Sequence, residues 1–217
     1  MQIGCADPQA LASNAPRLSR LDAEPVTIEG VELLQVFCET KADGLRERLP
    51  PALHPTSPGV ITWLAYRCDE SPWGPFRLAQ TRIECRSGTR PRALLVSGVI
   101  DNEQAGRALT EGWGYTLHPG VIDFRRGYDR TELRVAVEGE CVLELEMRDP
   151  ILLPPDAMQF VSSLHPAHTP NGFRLVQVDA VHQIERAERG EPIVGEFDAA
   201  AWGEPGLEPH HPISAAG

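Results

Sequence analysis

The feature that most constrains the fold is a series of short apolar segments separated by turn residues. The runs GVELLQVFCE (30–39), GVITWLAYRC (59–68) and RALLVSGVI (92–100) are rich in β-branched and aromatic residues, which favour strands. Three further runs, GVIDFRR, TELRVAVEG and ECVLELEMR, follow one another with turn residues between them. This spacing predicts a mainly β (α+β) fold, with a mostly antiparallel sheet closed into a barrel or sandwich.

Helices are predicted to be few and short. Thr40 is a candidate cap for a helix through ADGLRERL, which two prolines end. Asp101 or Asn102 is expected to cap a second helix, and Gly112 is expected to end it in the left-handed conformation. The late run FRLVQVDAVHQIERA (173–187) alternates and predicts a long strand or a pair of strands.

The length of 217 residues fits one large domain. We expect a mobile N-terminal arm over residues 1–22, a single β-barrel domain over 23–205, and an extended or frayed tail over 206–217, which is rich in proline and glycine. The N-terminus has neither a basic region nor an apolar stretch typical of a signal peptide.

The net charge limits the classes of binding partner, and the cysteines indicate the cellular compartment. A net charge of −11 argues against nucleic acid, and no apolar run approaches the ~20 residues that span a bilayer. The five cysteines (Cys5, Cys38, Cys68, Cys85 and Cys141) are odd in number and form no CxxC pair. The sequence therefore predicts free thiols, no structural zinc and a cytoplasmic protein.

Lysine is almost absent, which limits the chemistry. Nineteen of the 20 basic residues are arginine, and Lys41 is the only lysine. This bias indicates a GC-rich bacterial genome. Lys41 is expected on a solvated helix, where an amine keeps an ordinary pKa. An amine-dependent mechanism is therefore not expected.

The segment DNEQAGRALTEGWGYTLH (101–118) resembles acetoacetate decarboxylases, in which a helix start of this type leads through a small and aromatic turn to Pro-Lys-Lys. ETKADGLRERLPPALHP, the SPWGPF turn and GFRLVQVD follow the same order, so the resemblance covers about residues 25–205. It implies a cone-shaped antiparallel β-barrel with a few short peripheral helices, an active site within the barrel and a homo-oligomer.

The resemblance also implies which functional groups this chain lacks. In the family, a lysine forms a Schiff base with the substrate ketone, and a second lysine beside it lowers its pKa. Leu117 and His118 stand at those two positions. Cys38 stands at the position of the pocket arginine, and Trp63 and Leu78 stand at those of the two pocket carboxylates. Together these replacements predict a more apolar cavity.

Three residues are candidate catalytic groups. His118 can exchange a proton near neutral pH, and Tyr115 can donate to a substrate oxygen. If Leu78 faces the cavity, the two-residue period of a strand places Gln80, Arg82 and Glu84 on the same face. Arg82 with Glu84 would then bind a carboxylate or carbonyl. The alternatives are a loop histidine, a packing tyrosine and solvated charges.

The predicted substrate-binding residues are mainly apolar: Leu117, Cys38, Trp63, Leu78, Gln80, Glu84 and Trp113. His165 and His168 have a spacing that suits a metal, but Pro166 and Pro170 favour a loop instead. We predict no metal and no cofactor, because neither a glycine-rich phosphate loop nor a catalytic motif is present.

Three functions remain open at this point. The first is a cofactor-free lyase or cyclase of bacterial secondary metabolism, acting on an apolar, carbonyl-containing, polyketide-like small molecule. The second is a non-catalytic small-molecule-binding or accessory protein. The third is a decarboxylase or dehydratase of a small keto acid that needs no lysine.

Overall fold

A large β-sheet dominates the computed structural model, which describes residues 3–217. The helices are α1 (Pro8–Asn14), α2 (Ala42–Arg46) and α3 (Glu103–Trp113), and a 3₁₀ turn covers Pro155–Ala157. The strands are β1 (Glu29–Thr40), β2 (His54–Pro55), β3 (Gly59–Glu70), β4 (Phe76–Ser87), β5 (Arg90–Ile100), β6 (Leu117–Pro119), β7 (Val121–Arg126), β8 (Arg130–Val137), β9 (Glu140–Leu153), β10 (Ser163–Thr169), β11 (Gly172–Val178), β12 (Ala187–Phe197) and β13 (Pro209–Ala216).

The strands form one sheet in the order β11-β10-β5-β4-β3-β1-β13-β12-β9-β8-β7, with β2 beside β4 and β6 beside β5. Within residues 3–217, the parallel pairings are those of β10 and β6 with β5. The mainly β prediction is confirmed, but the sheet is open rather than a closed barrel. Strand β7 packs near β4 and β5, and no ladder joins it to β11 in the described part of the chain.

Both faces of the sheet are buried against apolar groups. On the inner face of the curled sheet, a large core includes Val36, Trp63, Leu133 and Leu143. On the outer face, a smaller core lies beneath α3 and β6 and includes Leu78. Burial of each side chain of this size contributes about 1.5–3 kcal/mol.

Helix α3 closes the smaller core and forms most of the segment 101–118. Asn102 caps it, since its side-chain oxygen accepts a hydrogen bond from the backbone N–H of Ala105. The helix ends at Gly114, which has φ 75°, and not at the predicted Gly112. A side chain at Gly114 would also lie 3.1 Å from the Ala167 side chain. This close approach to β10 favours glycine two residues later than predicted.

The two termini are more ordered than predicted. Near the N-terminus, residues expected to form a mobile arm include α1, and backbone hydrogen bonds join Gly4 to Leu53 and Leu18 to His168. At the C-terminus, the predicted tail contains β13, which pairs with both β1 and β12. The last strand of the chain therefore lies inside the sheet.

Two smaller predictions also differ from the structure. Thr40 does not cap α2, because its hydroxyl donates to the backbone carbonyl of Glu208. Strand β11 ends at Val178, so residues 179–186 form an irregular segment rather than a continued strand. No helix within residues 3–217 is long and apolar enough to cross a bilayer.

Candidate functional site

The positions matched to the family pocket lie on two different faces of the sheet. Trp63 is paired with Thr81, and Cys38 is paired with Ile61, in the inner core. Leu78 is an odd number of residues from Thr81 and therefore points to the outer face. Cys38 and Trp63 thus do not share a cavity with Leu78, contrary to the expectation of one common pocket. Burial also raises the pKa of the Cys38 thiol, which keeps it protonated.

Leu117 lies on the outer face with Leu78. It begins β6, where its backbone is paired with Gly98 of β5. A side chain at Gly98 would lie 2.9 Å from the Leu117 Cδ2 atom and 3.5 Å from the Gln80 Cγ atom. Glycine is needed there for the close approach of the two strands, which brings Leu117 next to Gln80.

Arg82 lies on the same face of β4 as Leu78 and Gln80, as the two-residue period predicts, and is only 4% exposed. Its Nη2 atom donates to the Val161 carbonyl across 2.8 Å. Its Nε atom is buried without a hydrogen-bond partner. In residues 3–217, no carboxylate is within ion-pair distance of the guanidinium. Arg82 is therefore a buried cation that forms no ion pair within residues 3–217, although its charge acts on Glu84.

The predicted pairing of Arg82 with Glu84 is not formed as an ion pair. Glu84 instead accepts a hydrogen bond from the Thr62 hydroxyl, with 2.6 Å between the oxygens. Burial raises the pKa of Glu84, although the Thr62 hydrogen bond and the Arg82 charge act in the opposite direction. Because burial has the largest effect, the uncharged form of the Glu84 carboxyl group is more favoured here than in water.

Two tyrosines supply neutral hydroxyl groups beside Arg82. Burial raises the pKa of Tyr66 and that of Tyr115, while the Arg82 charge acts to lower both. A hydrogen bond with Gln80 also acts to lower the pKa of Tyr115. Both phenols therefore remain protonated near neutral pH and can donate hydrogen bonds.

His165 is the imidazole of this cluster. Its Nδ1 atom is 3.0 Å from the Trp113 carbonyl, which can only accept, so Nδ1 carries the proton. The Nε2 atom is buried without a partner and therefore presents a lone pair. Burial lowers the pKa of His165 to about 3, and the Arg82 charge acts in the same direction. The ring meets Tyr115 edge-on, with 4.4 Å between the ring centroids.

His165 and His168, which were considered as metal ligands, do not point towards a common site. The segment that contains them is strand β10 and not a loop, so His165 and His168 point to opposite sides. The His168 Nε2 atom is 2.7 Å from the Ala12 carbonyl. In the described residues, side chains close enough to share an ion are Cys141, Glu144 and Glu196, which lie away from this cluster on β9 and β12.

The remaining predicted residues take separate positions. His118 is exposed, so it lies outside the buried cluster. Trp113 packs on Trp73, with 6.1 Å between the ring centroids. Lys41 is at the surface, where its amine is 2.6 Å from a carboxylate oxygen of Glu208. The single lysine therefore contributes no interior amine.

Sequence reasoning missed two members of the cluster. Tyr66 faces it because β3 is paired with β4 at Leu78, and the register of two strands is not visible in either strand alone. His165 was hidden by the neighbouring prolines, which suggested a loop. The cluster formed by Tyr66, Gln80, Arg82, Tyr115 and His165 contains one fixed cation, hydroxyl donors and a neutral imidazole. Such a set can stabilise an oxyanion and transfer a proton.

Comparison with known proteins identifies the family. The family model for acetoacetate decarboxylase (ADC) matches residues 11–193. No curated protein sequence matches the chain.

Solved structures share the fold at low sequence identity. The acetoacetate decarboxylase of Legionella pneumophila is 18% identical, with a TM-score of 0.77 over 93% of this chain and 86% of that one. The enduracididine biosynthesis enzyme MppR, complexed with the condensation product of pyruvate and imidazole 4-carboxaldehyde, is 19% identical, with a TM-score of 0.70 over 93% and 91%.

An acetoacetate decarboxylase-like enzyme from Sphingomonas wittichii is 15% identical, with a TM-score of 0.66 over 86% of this chain and 85% of that one. The solved structures of similar fold thus include enzymes that are not named as decarboxylases. The family model spans most of the sequence. This chain belongs to the acetoacetate decarboxylase family.

Proposed function

We propose that this protein is a cofactor-free enzyme of the lyase type that acts on a carbonyl-containing small molecule without a Schiff base. The observation that carries the proposal is Arg82, a buried guanidinium that has no acidic partner among residues 3–217. An unpaired buried charge is strongly unfavourable. A site that retains one is well suited to bind an anionic group or to stabilise a negative charge that forms during a reaction.

The cluster supplies each group that such a reaction needs. Burial keeps the His165 ring weakly basic in the free protein, and the negative charge of the bound substrate raises its pKa. The Nε2 lone pair then accepts a proton from the carbon next to the substrate carbonyl, and the electron pair moves onto the carbonyl oxygen. Arg82 stabilises the resulting enolate oxygen, and Tyr115 donates a hydrogen bond to it. Collapse of the enolate then expels a leaving group from the next carbon, which completes an elimination.

Apolar side chains next to the cluster limit the access of water to it. Leu117 occupies the position matched to the Schiff-base lysine of the family and belongs to the outer-face core with Leu78. The single lysine of the sequence, Lys41, is exposed and paired with Glu208. The resemblance at Leu117 and the surface position of Lys41 support acid–base chemistry rather than iminium chemistry. The relative that was solved with a condensation product of two carbonyl compounds supports a role in biosynthesis.

Hydrogen exchange tests the proposed first step. Incubation with 2-oxobutanoate in D₂O should replace the hydrogens next to the carbonyl with deuterium, which proton NMR measures directly. His165→Gln should abolish the protein-dependent exchange. Arg82→Met should reduce it at least tenfold. His118→Gln is the matched control, because this exposed histidine should leave the rate unchanged.

The outcomes separate the alternatives. Binding of 2-oxobutanoate without exchange would favour the non-catalytic binding protein. Exchange that survives in His165→Gln but disappears in His118→Gln would restore His118 as the base and overturn the assignment of His165. Neither binding nor exchange by the folded protein would reject the proposed site.

A further inference from the structure

We propose that a groove next to the Arg82 cluster is a subsite for a planar, uncharged ring of an acidic substrate. The carboxylate of that substrate would lie against Arg82. This inference rests on the proposed function, because it places the charged end of the ligand in the same cluster.

Two segments form the groove: residues 154–162, which include the 3₁₀ turn, and the irregular residues 179–186. The first is fixed to the sheet, since the backbone N–H of Ala93 donates to the Ser162 carbonyl. The second is tied to the first, because a hydrogen bond from the Ser162 side chain lowers the pKa of Asp179. The first segment therefore lies against β4 and β5, and the second segment lies beside the first.

The groove has a volume of about 460 Å³ and is lined by Pro155, Asp156, Met158, Phe160, Ala180, His182 and Ile184. A volume of this size falls within the ~300–1,000 Å³ of ordinary small-molecule sites. Proline, methionine and aromatic side chains pack well against flat apolar groups.

An aromatic stack within the groove indicates the shape of the ligand. The rings of Phe160 and His182 lie nearly parallel, at 15°, with 3.8 Å between their centroids. Burial lowers the pKa of His182, and the Arg82 charge acts in the same direction. The imidazole is therefore neutral near pH 7 and presents a flat face without charge. A planar ring can extend this stack or take the place of one of its members.

The groove and the buried cation are connected through Val161. Arg82 donates to the carbonyl of Val161, and Phe160 is the preceding residue. Because consecutive Cα atoms are about 3.8 Å apart, the groove begins one residue from the carbonyl that binds the guanidinium. We expect a ligand of one ring and a short carboxylate-bearing chain to span the two. Asp156 also lines the groove. Its carboxylate disfavours a second negative charge on the distal ring.

Paired ligands test the subsite. Trans-cinnamate and crotonate carry the same conjugated carboxylate, but only cinnamate has a ring. Titration calorimetry should show at least tenfold tighter binding of cinnamate to the wild-type protein. Phe160→Ala and His182→Ala should each weaken cinnamate at least fivefold and leave crotonate unchanged. Phe173→Ala is the matched control, because Phe173 packs on a different histidine, His168.

The charge at the groove gives a second test. The dianion 4-carboxycinnamate should bind at least fivefold more weakly than cinnamate, and Asp156→Asn should reduce that difference. Equal affinity for cinnamate and crotonate, with both still dependent on Arg82, would overturn the ring subsite and leave the proposed function intact. Binding of both acids that is unchanged in Arg82→Met would overturn both proposals.

Discussion

The Arg82 guanidinium donates to the Val161 carbonyl across 2.8 Å, and this is its one hydrogen bond in the described residues. The acid two residues along β4, Glu84, is engaged by Thr62 instead. Arg82 thus joins the sheet to the segment that covers it, while most of its hydrogen-bonding capacity stays unused. Packing alone does not explain such a residue, because an apolar side chain would fill the same space without the penalty of burying charge.

Replacement of Arg82 by methionine should separate stability from binding. We expect Arg82→Met to unfold at the same or a higher urea concentration, with a gain of up to about 3 kcal/mol, because an unpaired buried charge is removed. The same variant should lose carboxylate affinity at least tenfold. Chemical denaturation and calorimetry measure the two effects. Arg90→Met, at an exposed position, should change neither. A large loss of stability in Arg82→Met would show that the guanidinium is structural.

His165 should make the fold sensitive to acid. Its pKa in the folded protein is lowered to about 3 from the ordinary 6.5, because the ring is buried. The unfolded chain therefore takes up a proton below pH 6.5 that the folded protein does not. The stabilisation is complete above this pH and declines as the pH falls towards 3. At pH 4 the loss is about 3 kcal/mol.

Urea denaturation at pH 7 and pH 4 measures this effect. The difference in unfolding free energy between the two pH values should be smaller by about 3 kcal/mol in His165→Phe than in the wild-type protein. His118→Phe serves as the comparison, because this side chain is exposed. If His165→Phe keeps the full acid sensitivity, the ring is not buried in its neutral form.

The strands that form the sheet around the site were predictable because each carries a strong local signal. Strands β3, β4 and β5 are rich in apolar and β-branched residues, since both of their faces are buried. Strand β13 has no such signal: its sequence, PHHPISAA, contains two prolines. It forms a strand because it pairs with β1 on one side and with β12 on the other. The pairing with β1 joins parts of the chain that are far apart in sequence.

The site was predictable only along a single strand. The two-residue period of β4 places Gln80 and Arg82 beside Leu78, and the register agrees. Which residues of other strands meet them depends on pairing across the sheet. Cys38 and Trp63 alternate to the inner face, although the resemblance placed them in the pocket. A resemblance gives equivalent positions, whereas the face of each strand decides which side chains meet.

The position of β13 leads to a prediction about the C-terminus. Ala215 is 1% exposed and is paired with Val36 on one side and with Gly190 on the other. An aspartate there would bury a charge without a partner, so Ala215→Asp should unfold the protein or make it insoluble. Ile213→Asp should be tolerated, because Ile213 is 49% exposed. Circular dichroism and soluble yield measure both. Equal tolerance of the two changes would indicate a frayed tail.

Restoring an amine at position 117 tests the location of the site itself. Leu117 contacts the smaller apolar core and lies beside Gln80, whereas His118 is exposed. An amine in Leu117→Lys should therefore have a pKa lowered by at least about one unit, which raises the fraction of free amine about tenfold near neutral pH. That amine can condense with a ketone to form an iminium ion and water. Borohydride then reduces the iminium ion to a stable secondary amine. Mass spectrometry should detect acetoacetate-dependent, borohydride-trapped product at least tenfold faster in Leu117→Lys than in His118→Lys, which presents its amine to solvent. Equal labelling of the two variants would mean that position 117 does not face an enclosed site. That result would contradict the proposal that the cluster around Arg82 is the reaction centre.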